Sequence, residues 1–106
     1  MSQQHRDALR KNRVTLVNDM NAEELLDHLF AENIINMRIK EKIEAQQTRM
    51  EKNEALLDYL PGQGDRAFSE LCAALEVGYW YYSINIMVME TFMSLFIDNI
   101  HSDMHF

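Results

Sequence analysis

The 106-residue chain contains one cysteine, Cys72, and a histidine pair, His101 and His105, set four positions apart with Asp103 between them. A thiol can act as a nucleophile, and two histidines one helical turn apart can ligate a metal, so any chemistry would start from these residues. Neither set is complete. Cys72 falls in phase with Phe68, Leu71 and Leu75, on the apolar side of a helical segment where a thiol packs as a small hydrophobe. The histidine pair lies near the end of the chain without the further ligands a closed site needs. No catalytic, cofactor or metal residue is therefore expected, and function is sought on the surface.

Charge is the other chemistry on offer. Arg6, Arg10 and Arg13 are spaced four and three apart and line one helical side, with Lys11 beside them and Arg49 and Lys52 further along. Like charges at this spacing cost an isolated helix about 0.2–0.5 kcal/mol per pair. Acidic residues cluster too: Glu23, Glu24 and Asp27 in one segment, Glu41 and Glu44 in another. Such clusters make sense where a partner of opposite sign neutralises them. The formal charge of −7 excludes a general nucleic-acid binder, which needs concentrated positive charge. A local basic patch would instead meet an acidic protein surface. With a single cysteine no internal disulfide can form. The first residues lack the apolar stretch of a secretory signal, so the expected location is cytoplasmic, with the nucleus as a second compartment.

The elements that must carry these charges read as helices. Leu9, Leu16, Val17 and Met20 fit one side of a helix beginning near His5. Asn21 is placed to cap a second, whose apolar face is Leu25, Leu26, Leu29 and Phe30. Asn36 opens a third, with Met37, Ile39 and Ile43 inward, and 46–49 reads as the next connection. Leu56, Leu57 and Leu60 mark a fourth, stopped by Pro61-Gly62-Gln63-Gly64, where proline removes an amide and the glycines permit a reversal. A fifth presents Ala67, Phe68, Leu71, Cys72 and Leu75. Five short amphipathic helices cannot bury their stripes separately, so they imply a compact all-α bundle.

Several ordered segments carry a resemblance. His5-Arg6-Asp7-Ala8-Leu9-Arg10-Lys11-Asn12-Arg13-Val14, Glu24-Leu25-Leu26-Asp27-His28-Leu29 and Asn33-Ile34-Ile35 are followed by Leu56-Leu57-Asp58-Tyr59-Leu60-Pro61, Gly64-Asp65-Arg66-Ala67-Phe68 and Leu71-Cys72-Ala73-Ala74-Leu75. Together they resemble a caspase recruitment domain of the death-domain superfamily over residues 5–76. The resemblance implies a six-helix antiparallel Greek-key bundle that associates homotypically and brings initiator caspases onto adaptors in apoptosis. It implies no peptide cleavage, because the Gln-Ala-Cys-type nucleophile segment of a caspase is missing from this sequence. Basic positions near the first and fourth helices form one half of the contact in such domains, which points to Arg10, Arg13, Arg49 and Lys52. The opposing acidic half would be Glu23, Glu24, Asp27, Glu41 and Glu44. One molecule offering both halves permits head-to-tail homo-oligomers. The expected partner is an adaptor carrying such a domain or an initiator caspase, with competition for that partner as one mode of regulation.

Residues 77–106 depart from the family pattern and contain no lysine or arginine. An apolar tail supplying a sixth helix is expected there, with Met87, Met89, Met93 and Met104 as filler. The 22 residues from Tyr79 to Ile100 approach a membrane-spanning length, but Glu90 near their middle makes insertion costly, and membrane association is disfavoured. Two other functions stay open: the prodomain of a cysteine endopeptidase whose catalytic part is absent here, and a structural protein associating through the tail.

Overall fold

The computed structural model describes residues 1–77. The expectations placed on the tail (the sixth helix, the span from Tyr79 to Ile100, the methionines and the His101–Asp103–His105 group) lie outside the described residues. Among those described, six α-helices and one 3-10 turn form an all-α bundle of the death-fold kind, and no strand occurs. The helices are α1 (Gln3–Lys11), α2 (Arg13–Asp19), α3 (Ala22–Ala31), α4 (Met37–Glu44), α5 (Arg49–Tyr59) and α6 (Arg66–Val77), with the 3-10 turn at Leu60–Gly62.

The expected first helix is broken into α1 and α2 at Asn12. The Asn12 backbone sits outside the helical region, with φ −103° and ψ 10°. Its side-chain amide donates to the Ala8 carbonyl at 2.8 Å, so a side chain competes for the helix's own acceptor. The break leaves Arg10 in the last turn of α1 and Arg13 as the first residue of α2.

Capping follows local chemistry at three other starts. Ser2 accepts from the His5 amide, Asn36 from Ile39 at 2.9 Å, and Thr48 from Glu51 at 3.1 Å. The end of α3 is a Schellman turn. The Ile34 amide reaches the Leu29 carbonyl and the Asn33 amide reaches Phe30, while Asn33 takes the left-handed conformation at φ 61°. Asparagine tolerates that region better than other residues with a Cβ. Neither of the described glycines has a positive φ, so the reversal after Leu60 needs proline and the 3-10 turn rather than left-handed glycine.

The apolar stripes meet in one core containing Leu16, Met20, Leu25, Leu26, Leu29, Ile43, Leu56, Leu60, Phe68, Leu71 and Leu75, all essentially inaccessible to solvent. Each such side chain contributes roughly 1.5–3 kcal/mol by leaving water. Helix α3 is central, packing on α4, α5 and α6, while α2 packs on α5. Cys72 is buried in this core, as its phase predicts. Two expected inward residues are not inward. Met37 is 48% exposed and Phe30 37% exposed. Each lies at one end of its helix's apolar stripe, where a helix touches only its nearest neighbours.

Candidate functional site

Three residues in the first half of α5 bind the corner between α2 and α3. Asn53, which has no exposed surface, donates to the carbonyls of Val17 at 2.8 Å and Met20 at 2.7 Å. Its Oδ1 accepts from the Ala22 amide at 2.8 Å. Asn21 makes no capping bond of its own, so the start of α3 is capped from α5 and not by its neighbour in sequence. Arg49 adds a guanidinium bond to the Met20 carbonyl at 2.6 Å. Lys52 closes the corner with an ion pair to Glu23.

This geometry sorts the four expected basic contact residues into two kinds. Arg49 and Lys52 are bonded to the corner: the Lys52 side chain is only 16% exposed, whereas Arg49 stays exposed while its guanidinium reaches the Met20 carbonyl. Arg10 is exposed and Arg13 half-buried, and each is held only by a carboxylate. Arg10 pairs with Asp7 at 3.0 Å on the same helix, and Arg13 reaches Asp58 of α5 at 2.9 Å. The Arg13–Asp58 pair joins the start of α2 to the end of α5, while Arg49 at the start of α5 meets the end of α2, so the two basic groups lie toward opposite ends of this helix pair. Arg6 and Lys11 are exposed on α1 without an ion pair among the described residues.

The acidic set divides similarly. Glu23 is held by Lys52, so two residues expected on opposite faces are bonded to each other. Asp27 and Glu44 share Lys40, at 3.4 Å and 2.7 Å. The hydrogen bond from Lys40 to Glu44 holds its ammonium above the ordinary lysine range, against an opposing effect of burial, and Asp27 adds to the rise. Glu24 and Glu41 are exposed, and no ion pair reaches them among the described residues. Within the expected acidic set they are the two that no internal cation holds among the described residues.

Sequence reasoning did not assign roles to Asn53, Asp58 or Lys40. For Asn53 a signal was present. It falls in phase with Leu56, Leu57 and Leu60, and a polar residue on an apolar stripe must find buried partners. Asp58 and Lys40 carry no such mark, because their partners come from other helices.

A second polar cluster joins α3 to α6. His28 Nε2 lies 2.8 Å from Glu70, while Arg66 pairs with Glu32 at 3.2 Å and approaches Glu70 at 3.8 Å. Elsewhere His5 of α1 stacks on Phe68 of α6 with ring centroids 4.1 Å apart and planes 8° from parallel. Its buried Nδ1 has no hydrogen-bond partner. Burial lowers the His5 pKa below the ordinary histidine value; Asp65 opposes this and the α-amino group assists it. Among the described residues no group of three potential ligands is arranged for a metal.

The caspase recruitment domain family model matches residues 6–83. Caspase-2 from Gallus gallus is 37% identical over 76 residues, which are 72% of this chain but 18% of that relative. The chain thus spans a small part of that relative's length. No solved structure gives a significant match. A helical bundle whose charges lie on the surface, matched over most of its length by the family model, places this chain in the caspase recruitment domain family, whose members bind one another homotypically.

Proposed function

We propose that this chain docks through Arg10 and Arg13 onto the acidic surface of another caspase recruitment domain, on an adaptor or an initiator caspase, and so regulates caspase recruitment in apoptosis. The family match over residues 6–83 carries this reading. Glu24 and Glu41 supply the opposite half of the contact, which allows further copies to add head to tail. Arg49 and Lys52 act at one remove, by fixing the α2–α3 corner at the other end of α2. The cytoplasm, with the nucleus as a second compartment, is where such partners would be met. No helix among the described residues is long and apolar enough to cross a membrane.

The test is the affinity of the purified chain for a panel of adaptor and initiator-caspase recruitment domains at low and high salt. Arg13→Glu should weaken binding about tenfold at low salt, because a reversed rim charge repels the acidic partner, and the difference should shrink as salt rises. A panel in which no domain binds would remove the recruitment reading. The match to only 18% of caspase-2 favours a second reading, in which these residues are the prodomain of a longer cysteine endopeptidase. Recovery of a natural polypeptide carrying a Gln-Ala-Cys-type segment after this domain would establish that reading.

A further inference from the structure

Asp58 lies in the last turn of α5, at the negative end of the helix dipole, where a carboxylate is locally unfavourable. No basic residue of that turn compensates it. Its ion-pair partner is Arg13 of α2, at 2.9 Å, and both side chains are open to water, at 68% and 39% exposure. The other cross-helix pairs of the expected contact residues are built differently. Lys52 and Lys40 are 16% and 19% exposed, so these lysines are set into the bundle and anchored there. An exposed pair is weak enough to exchange one carboxylate for another at small cost. When Asp58 is displaced, water can resolvate it.

We propose that Asp58 is an internal competitor for Arg13. In the free chain its carboxylate occupies the guanidinium, and docking exchanges this intramolecular pair for one with a carboxylate of the partner domain. The inference rests on the reading that Arg13 is a contact residue. It has a consequence for selectivity. A surface without a carboxylate opposite Arg13 leaves the internal pair intact and gains nothing from that arginine, whereas an acidic surface must outbid Asp58.

The experiment compares the parent chain with Asp58→Asn, using the panel member that binds the parent most tightly. Asp58→Asn should bind about two- to fivefold tighter at low salt. The gain should vanish on an Arg13→Gln background, and Asp58→Ser should reproduce it, with circular dichroism confirming the fold of each variant. Equal or weaker binding by both Asp58 variants would overturn the proposal, as would a gain that persists without Arg13. If neither the parent nor the Asp58 variants bind any panel member, the recruitment reading itself fails, and this inference fails with it.

Discussion

Two cationic regions of this small bundle look alike in sequence and differ in the structure. On α5, Arg49 and Lys52 point into the α2–α3 corner, where they and Asn53 satisfy backbone carbonyls, an amide and the Glu23 carboxylate. Across the break at Asn12, Arg10 and Arg13 hold only carboxylates and no backbone group. The first region reaches the backbone of the corner, and the second reaches only side chains. A charge on an amphipathic helix thus has no fixed meaning; the neighbouring helix decides whether it is tied to the backbone or left to a partner.

The contrast breaks most visibly at Asn53. Replacing it by alanine strands the Val17 carbonyl and the Ala22 amide in the core and should cost about 3 kcal/mol, read as a shift in the urea midpoint. A loss under about 1 kcal/mol would mean that the corner does not depend on α5. Arg49→Ala removes a charged donor from the Met20 carbonyl at a partly buried site and should cost about 1–2 kcal/mol. Arg13→Glu should leave stability within about 0.5 kcal/mol while weakening binding, the inverse of the Arg49 result. Equal stability losses at positions 13 and 49 would erase the distinction between the two regions.

His5 provides a further separation, by pH. A histidine whose folded pKa is depressed favours folding fully above its unfolded value near 6.5, and that contribution is lost as pH falls from there through the lowered folded value. His5→Phe keeps the stack on Phe68 and removes a buried nitrogen without a partner. The variant should be about 1 kcal/mol more stable at neutral pH and should melt with less acid sensitivity below pH 6.5. An unchanged acid dependence would place the titrating group elsewhere.

Much of the bundle was legible from periodicity. The stripes of Leu25, Leu26 and Leu29, of Leu56, Leu57 and Leu60, and of Phe68, Leu71 and Leu75 are buried as their spacing predicts. Asn36 caps as read, since the bond runs to an amide three residues away. The expectation failed at Asn21 because that cap comes from Asn53, thirty-one positions from Ala22. Met37 and Phe30 fit their stripes but are exposed, because phase on a helix says nothing about whether a neighbour reaches that turn. The break at Asn12 was also missed. Its side-chain bond is local, but the residues on both sides are good helix formers.

By itself the sequence determined the helical class, the apolar faces, the absence of an internal disulfide and a resemblance specific enough to name a family of partners. These depend on residue type and on spacing within a helical turn or two, which are properties of a chain before it folds. The tertiary structure alone decided which charges remain available. Lys52 found Glu23, Lys40 found Asp27, and Arg13 found Asp58 across distances in sequence that no local pattern encodes. The energy of a charge depends on what packs beside it and how much water is left, and both are settled only when the helices come together.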